Sequence, residues 1–331
     1  MTKRFLAFVV NKTDDQFKSE VKELTEHDLP DGDVTIRVAY SSVNFKDGLA
    51  SIPNGNIVNR YPFIPGIDLA GTVVGSQDTR FREGDEVLVT GYGLGVSHFG
   101  GFSQYARVPA DWVVPIPKGL TMEEAMAYGT AGFTAALSFY QLEERGLTPD
   151  KGSVLVTGAT GGVGSLAVSM LKKKGYEVVA STGKEMEYPY LYQIGAKEIL
   201  KREELQPEKF PPLGNQRWAG AIDPVGGKSL AYVLSCIKYG GSVAVSGLTG
   251  GNSVPTTVLP FILRGVNLLG IDSVLCPMDL RLKLWDKMAG ELKPDHLATD
   301  IGCQVTLTQL PEVLSEILQG RMRGRAVVNL Q

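Results

Sequence analysis

The stretch VLVTGATGGVGSLAV, residues 154–168, decides the fold, because it predicts a strand, a glycine-rich turn and a helix in succession. Val154, Leu155 and Val156 predict a buried strand, and apolar residues recur at helical spacing across 166–171. Four glycines lie between these segments. Glycines let a ligand approach the unpaired amide groups that begin a helix, and those groups attract phosphate. The stretch therefore predicts a phosphate-binding turn.

The residues after the turn indicate which phosphate it binds. Gly164 is followed by Ser165 and Leu166, without the lysine that a nucleotide-hydrolase loop requires. The run that begins at Ala159 matches instead the dinucleotide-binding pattern with alanine at its first position. The predicted pyrophosphate-binding residues are Gly161, Gly162, Val163 and Gly164. A helix start whose glycines only allow tight packing remains the alternative.

The whole chain has the composition of a globular enzyme. Its 331 residues are enough for two domains, and 43% are hydrophobic. The net charge of −3 gives no reason to expect nucleic acid or an anionic membrane as partner. No stretch reaches the roughly 18 apolar residues of a membrane span, and the short apolar run Phe5–Val10 predicts a first strand rather than a signal peptide.

The three cysteines are Cys236, Cys276 and Cys303, and no two of them form a CxxC pair. Such a sparse, odd set argues against a disulfide framework and against a cysteine-rich zinc site. We therefore expect a cytoplasmic protein.

The pattern of segments divides the chain into two domains. Short strands between glycine and proline turns fill the first 125 residues and predict a partly open β-barrel. A helix over 121–144, capped by Thr121, follows. Strands and helices then alternate, as in a doubly wound parallel sheet, and the C-terminal strand, helix and strand are expected to return to the barrel. The predicted limits are 1–126 with 297–331 for the barrel domain, and 127–296 for the dinucleotide-binding domain.

The end of the second sheet strand bears on cofactor choice. NAD-selective folds place a carboxylate there, whereas this strand ends in Ser181, Thr182, Gly183 and Lys184. Two hydroxyls and a cation suit a 2′-phosphate, so we expect NADPH, with NADH possible. A solvated Lys184 is the alternative, and the adjacent Glu185 weakens the case for a phosphate site.

Several further segments carry a family resemblance. They are SSVNFKDGLA (41–50), YPFIPGIDLAGTVV (61–74), GDEVLVTGYGLG (84–95), GTAGFTA (129–135) and PTTVLPFILRGVNLLGIDSVLCP (255–277). With the glycine-rich turn, the chain resembles the medium-chain dehydrogenase/reductase superfamily, and within it the YhdH/AcuI branch of quinone oxidoreductase-like proteins and acrylyl-CoA reductases. The resemblance implies an α/β protein. It would combine a GroES-like, partly open β-barrel catalytic domain with a doubly wound Rossmann cofactor domain. It also implies a homodimer formed through the VNLLGI strand.

The resemblance bears on zinc. Metal-using relatives bind catalytic zinc through residues at the positions of Asn44, Ile67 and Thr130. Isoleucine cannot bind a metal, and a neutral asparagine and a threonine are poor zinc ligands. We therefore expect a zinc-independent site.

The implied reaction transfers a hydride from a reduced nicotinamide to an activated C=C bond or a quinone. Negative charge then develops on the substrate's carbonyl oxygen and requires hydrogen-bond donors or a cation. The resemblance places three candidate catalytic residues after a barrel strand: Asn44 as a donor, Lys46 to stabilise charge and Asp47 to orient them. A helix-cap role for Asp47 is the alternative.

The resemblance also implies residues that contact the cofactor. Phe45 stands where tyrosine is common in this branch, so ring stacking is retained but no hydroxyl can donate a proton. Water, or a tyrosine among Tyr40, Tyr92 and Tyr128, would then supply that proton. The remaining expected cofactor contacts are Thr130, Leu248, Ser273 and Arg325. For Arg325 an anionic substrate is a second expected partner, and a surface arginine without a functional role is the alternative.

Three functions remain open from the sequence. The main one is an NADPH-dependent reductase of acrylyl-CoA or other 2-enoyl thioesters, and the nearest alternative is an NAD(P)H:quinone oxidoreductase. A non-catalytic NADPH-binding redox sensor is the alternative from another class. In each case the partner is a small molecule, with neither nucleic acid nor membrane involved.

Overall fold

The computed structural model describes residues 3–13, 16–295, 297 and 302–331. Its contacts divide the chain into two compact units. Unit 1 comprises residues 1–130, 274–289 and 296–331, and unit 2 comprises residues 131–273 and 290–295. Across the described residues, every helix falls short of the length and apolar character that crossing a membrane requires.

The strands in chain order are β1 (Arg4–Lys12), β2 (Phe17–Thr25), β3 (Val34–Ser42), β4 (Asp68–Ser76), β5 (Glu86–Thr90), β6 (Tyr105–Val108), β7 (Val114–Pro115), β8 (Val154–Val156), β9 (Val178–Thr182), β10 (Glu198–Lys201), β11 (Trp218–Asp223), β12 (Ile237–Val245), β13 (Asn267–Gly270), β14 (Gly302–Val305) and β15 (Arg325–Asn329). The helices are α1 (Phe45–Ala50), α2 (Met122–Glu144), α3 (Gly162–Lys173), α4 (Tyr188–Ile194), α5 (Gly227–Cys236), α6 (Leu259–Arg264), α7 (Met278–Ala289) and α8 (Leu310–Leu318).

Unit 1 is built on a seven-stranded β-sheet. Its strand order is β14-β15-β3-β4-β5-β7, with β6 also paired to β3, and only β14 and β15 run parallel. The hairpin of β1 and β2 forms a second, two-stranded sheet. Phe8 and Phe102 meet edge to face in the core between these layers. This sheet agrees with the predicted partly open, GroES-like barrel domain.

The segment 274–289 belongs to unit 1, although the sequence analysis assigned it to the dinucleotide-binding domain. Its contacts give the physical reason. Tyr128 donates a hydrogen bond to the Met288 carbonyl at 2.9 Å, and its ring meets Trp285 edge to face. Whether the two domains end at the predicted residues stays a prediction. Residue 296, the predicted end of the dinucleotide-binding domain, lies outside the described residues.

Unit 2 contains the predicted doubly wound sheet. All six strands are parallel, in the order β10-β9-β8-β11-β12-β13. The glycine-rich turn joins the central β8 to α3, so the carboxyl ends of β8 and its neighbours meet at one edge, where such folds bind ligands. This confirms the Rossmann domain. β13 lies at the outer edge of the sheet, as expected for the VNLLGI segment.

One helix differs from its prediction. The sequence predicts a continuous helix over 121–144, but Gly129 has φ +50° and ψ −156°, so α2 is two helical pieces joined by a kink. Helical periodicity does not reveal this break, because glycine is tolerated within a helical pattern. The predicted cap is confirmed. Thr121 accepts a hydrogen bond from the amide of Glu124 at 3.1 Å, and the Glu124 carboxylate accepts one from the Thr121 amide at 3.0 Å.

Candidate active site

Asp47 ties the start of α1 to the segment that precedes β4. Its two carboxylate oxygens accept hydrogen bonds from the backbone amides of Asn44, at 2.8 Å, and Ile67, at 2.9 Å. The side chain is fully buried. Both oxygens therefore accept hydrogen bonds from backbone amides, which is the helix-cap role named above as the alternative for Asp47. Asp47 positions Asn44 and is not aimed at a substrate.

Asp68 is the centre of a buried polar cluster that the sequence analysis missed. One of its carboxylate oxygens accepts hydrogen bonds from Ser42 Oγ at 2.7 Å, Asn44 Nδ2 at 2.7 Å and the Thr130 amide at 2.9 Å. The other accepts from Thr130 Oγ1 at 2.5 Å. Two of the three positions examined for zinc, Asn44 and Thr130, are thus joined through one carboxylate. A sequence signal did exist, because a carboxylate beginning an apolar strand needs a partner.

Arg325 supplies the positive charge of this cluster. It is buried, donates to Ser42 Oγ at 2.8 Å and to the Val43 carbonyl at 2.9 Å, and lies 3.7 Å from the Asp68 carboxylate. Burial lowers the pKa of Arg325, and the negative charges of Asp68 and Asp47 oppose that change. Arg325 therefore compensates the buried Asp68.

The same charges act on Asp47. Burial, followed by the nearby negative charge of Asp68, raises the pKa of the Asp47 carboxyl from 3.8 to about 7, although its hydrogen bonds lower it. Both protonation states of Asp47 are consequently populated near neutral pH.

The kink at Gly129 makes the cluster possible. A Cβ at this position would overlap the Asp68 carboxylate and Ser42 Oγ, and would lie 2.8 Å from Arg325 Nη2. The positive φ also disfavours any residue with a side chain. Gly129 thus lets α2 bring the Thr130 amide and hydroxyl onto Asp68.

The donor role expected for Asn44 does not match this arrangement. Its Nδ2 group donates to Asp68 and, at 3.3 Å, to the Ser42 carbonyl, which uses both amide hydrogens. What remains is the amide oxygen, an acceptor. Asn44 is therefore suited to accept a hydrogen bond from a ligand rather than to donate one to a carbonyl oxygen.

The two residues after Asn44 are more accessible. Phe45 is 39% exposed and Lys46 is half-buried, at the first turn of α1. The exposed ring is free to stack on a ligand, as the resemblance implies. Of the tyrosines considered as proton donors, Tyr128 is buried in the core, where its hydroxyl already donates to a backbone carbonyl.

In unit 2, α3 begins directly at the glycine-rich turn. Its first residue is Gly162, and no side chain from the described part of the chain caps it. Gly161, Gly162 and Val163 are half-buried. The Gly161 amide donates to the Gly158 carbonyl at 2.9 Å, which leaves the amides of Gly162 and Val163 for a ligand. Gly164 is buried, and a Cβ there would overlap the Gly158 carbonyl. The uncapped helix start and its glycine cradle therefore fit a pyrophosphate.

The end of β9 borders a cavity of about 440 Å³, lined by Thr182, Gly183, Glu185, Lys201 and Glu203. Ser181 and Thr182 are buried, and the Thr182 hydroxyl lies 3.3 Å from that of Thr160 and accepts from the Lys184 amide at 3.1 Å. The two hydroxyls expected at the ribose therefore serve partly to shape the loop.

The sequence analysis missed a cation beside this cavity, next to its lining residue Gly183. The Arg202 guanidinium lies 2.8 Å from the position that a Cβ on Gly183 would occupy. Burial lowers the pKa of the half-buried Lys184, and the Arg202 charge adds to that effect while Glu187 opposes it. Arg202 lies twenty residues after Thr182, and only the parallel pairing of β9 with β10 reveals its place.

Other carboxyl ends of the sheet also carry polar groups. Asp223 ends β11, and one of its oxygens accepts from the amides of Val225 at 2.6 Å and Gly226 at 2.8 Å. Burial raises the pKa of the Asp223 carboxyl. Leu248, which follows β12, is 65% exposed, and Ser273 is half-buried, so both are accessible. Asp223 thus holds the turn after β11 at the ligand-binding edge.

Comparison with known families identifies the class of protein. The family model for an alcohol dehydrogenase GroES-like domain matches residues 30–118, and that for a zinc-binding dehydrogenase matches residues 162–289. The chain belongs to the medium-chain dehydrogenase/reductase superfamily, in its YhdH/AcuI branch, and is an NAD(P)H-dependent oxidoreductase. Among the described residues, no three His, Cys, Asp or Glu side chains are grouped to hold a metal ion.

Individual relatives are similar along the full chain. A Bacillus subtilis protein named as a quinone oxidoreductase, YhfP, is 58% identical over 100% of both chains, and its crystal structure with NAD bound has a TM-score of 0.97 over 99% of this chain and 100% of that one. The acrylyl-CoA reductase AcuI of Ruegeria pomeroyi is 51% identical over 98% of this chain and 99% of its own. Escherichia coli K-12 YhdH, crystallised with NADPH, is 46% identical, with a TM-score of 0.95 over 98% of this chain and 100% of that one.

Proposed function

We propose that this oxidoreductase uses NADPH to reduce the C=C bond of a 2-enoyl thioester such as acrylyl-CoA, without zinc. Similarity to the acrylyl-CoA reductase AcuI, at 51% identity, supports the thioester substrate. The observation that carries the metal-free part of the proposal is the Asp68 cluster. Asn44 and Thr130 both donate hydrogen bonds to Asp68, while the third position examined for zinc is the apolar Ile67. The polar groups of the site are thus held by one another and by Arg325 rather than arranged around a cation.

Each unit contributes different residues to the proposed reaction. NADPH supplies the hydride, and in unit 2 the start of α3 holds its pyrophosphate through the amides of Gly162 and Val163. In unit 1, Asn44 offers its amide oxygen to a ligand N–H group, and Phe45 offers a ring face. Lys46 provides a positive charge near which a substrate oxygen can become negative.

The preference for NADPH rests on the cavity beside β9. Lys184 and Arg202 place two cations beside the cavity, next to its lining residue Gly183, and Thr182 stands where a carboxylate would repel a phosphate. The ion pair of Lys201 with Glu185, at 2.6 Å, neutralises a third cation. The preference is therefore expected to be graded rather than absolute, with NADH as a weaker cofactor.

Loss of NADPH absorbance on addition of acrylyl-CoA to metal-stripped protein tests the proposed reaction, with a simple benzoquinone run in parallel. We expect fast turnover of the thioester and slow turnover of the quinone. An inert thioester with fast quinone turnover would make the protein a quinone reductase, as its relative YhfP is named. NADPH binding without oxidation by any enoyl thioester, enone or quinone would favour a redox sensor. Activity that requires added zinc would refute the metal-free proposal.

Cofactor preference has its own test. Lys184→Ala and Arg202→Ala are each expected to weaken NADPH binding more than NADH binding, by roughly tenfold, because one charge-assisted contact to the 2′-phosphate is lost. Lys197→Ala, which removes an exposed lysine paired with Glu177, is the control and should leave both affinities unchanged. Equal losses for the two cofactors would remove the reason to prefer NADPH.

The assembly and location of the protein are also proposals. Support for a homodimer comes from the edge position of β13, where Leu268 is 41% exposed, and from Ile262 and Leu263 of α6, which are 68% and 56% exposed. Light scattering should give a dimer for the native chain and a monomer for Leu268→Asp. A cytoplasmic location accords with three free cysteines.

A further inference from the structure

Tyr92 has a backbone conformation that bulky residues seldom adopt. It lies in the loop after β5 with φ +51°, in the left-handed region. A non-glycine residue stays there only when its surroundings hold it, and such positions concentrate at functional sites. The contacts of Tyr92 therefore show what holds it and which part of it is left for a ligand.

Arg281 of α7 binds the backbone just before Tyr92 and the carbonyl that accepts from the Tyr92 amide. This fully buried guanidinium donates to the Thr90 carbonyl at 2.9 Å, to Thr90 Oγ1 at 3.0 Å and to the Val274 carbonyl at 3.2 Å. The Val274 carbonyl also accepts from the Tyr92 amide at 3.1 Å. The guanidinium carbon lies 4.7 Å from the centre of the Tyr92 ring. Arg281 thus fixes both the main chain and the ring of Tyr92.

Trp112 stacks on the same ring. The two ring centres are 5.8 Å apart and their planes differ by 7°. His98 meets Trp112 edge to face, and its Nε2 lies 2.7 Å from the Arg107 carbonyl. The Tyr92 ring is therefore held by a cation and a stacked indole, yet the residue is half-buried and its hydroxyl has no hydrogen-bond partner among the described residues. The hydroxyl, for which the described part of the chain offers no partner, is the part left for a ligand.

The loop that carries Tyr92 adjoins the Asp68 cluster. In the β4–β5 pairing, Thr90 lies opposite Asp68, two residues before Tyr92. Gly95 of the same loop packs closely against the residues that precede β4. A Cβ on Gly95 would lie 2.6 Å from the Gly66 carbonyl carbon and 2.9 Å from the Ile67 amide nitrogen. Asn44 donates both of its amide hydrogens within the cluster. A hydrogen-bond donor for a substrate carbonyl therefore has to come from another residue.

We propose that the Tyr92 hydroxyl donates a hydrogen bond to the carbonyl oxygen of the substrate, and that Arg281 is the positioning residue that aims it. This inference rests on the proposed enoyl thioester reduction. When the substrate's β-carbon accepts a hydride, the C=C electron pair moves toward the α-carbon and the carbonyl oxygen. The phenol keeps its proton and stabilises the resulting enolate oxygen, and the α-carbon then takes a proton from water.

Tyr92→Phe tests the inference, because it keeps the stacked ring and removes only the hydroxyl. We expect kcat for acrylyl-CoA to fall about 100-fold, in the range seen when one oxyanion donor is lost, with NADPH affinity and melting temperature unchanged. Calorimetric titration of the variant with propionyl-CoA, which cannot react, should show binding weakened about fivefold. Tyr105→Phe, which removes a buried phenol on β6, is the control and should match the wild type.

A second comparison tests the role of Arg281. Arg281→Lys should lower kcat, whereas adding it to Tyr92→Phe should lower kcat little further, because both changes remove one interaction. A Tyr92→Phe enzyme with kcat within twofold of the wild type would overturn the inference and leave the proposed function intact. A wild-type protein that does not consume acrylyl-CoA would instead overturn the proposed function, and this inference with it.

Discussion

The buried carboxyl of Asp47 makes stability depend on pH in an unusual direction. Burial and the charge of Asp68 raise its pKa from 3.8 to about 7 in the folded protein. Between these two values the folded chain retains a proton that the unfolded chain has released. The free energy of unfolding therefore falls as pH rises through this window, whereas carboxylates whose pKa is lowered by ion pairs or hydrogen bonds give the opposite slope.

The magnitude follows from the shift. At about 1.4 kcal/mol per pKa unit, a pKa raised from 3.8 to about 7 corresponds to about 4 kcal/mol, of which about 3 kcal/mol is lost between pH 5 and pH 8. Replacing Asp47 by Asn removes this titration and keeps the shape. The asparagine loses one acceptor for a backbone amide, which costs about 1–3 kcal/mol at every pH.

The assay is urea unfolding of the wild type and Asp47→Asn at half-unit steps from pH 5 to pH 8. The variant should be less stable than the wild type at pH 5, and the difference should shrink or reverse by pH 8. Asp78→Asn is the control, because hydrogen bonds from Arg80 lower the pKa of that exposed carboxyl to about 2, below the window. A stability difference between Asp47→Asn and the wild type that does not change with pH would refute the reasoning.

Three further substitutions test the cluster and the turn. Gly129→Ala should destabilise the protein by about 2 kcal/mol or more, measured by urea unfolding, because a Cβ at a positive φ would overlap Asp68 and Ser42. A variant as stable as the wild type would contradict the kink at Gly129. Asp68→Asn should cost about 3–5 kcal/mol by the same assay, since it leaves Arg325 as an uncompensated buried charge, and a loss below 1 kcal/mol would show that the pair is not needed. Gly162→Asp should abolish NADPH binding, followed by fluorescence titration, because it places a negative charge at the start of α3; unchanged affinity would exclude the glycine turn as the phosphate site.

The local chemistry of the chain was enough to predict most of unit 2. Strand, glycine turn and helix around residues 154–168 follow from hydrophobic spacing and from the conformations that only glycine adopts readily. The alternation after residue 150 predicts the parallel sheet, because parallel strands require a crossover between them. The absence of a carboxylate after β9 is also visible in the sequence, because it depends only on which residue type follows that strand.

What only the tertiary structure decided is which distant residues share a buried charge. Asp68, Thr130 and Arg325 are separated by 62 and 195 residues, and no periodic pattern connects them. Their meeting depends on antiparallel pairing of β3 with β4 and β15 and on the kink at Gly129. The same holds for the reassignment of Asn44 from donor to acceptor, because an amide has both groups and only its neighbours determine which is used. Sequence therefore determined most of the strands and helices and the class of ligand, whereas the fold alone determined the kink at Gly129 and the charges and hydrogen-bond directions at the site.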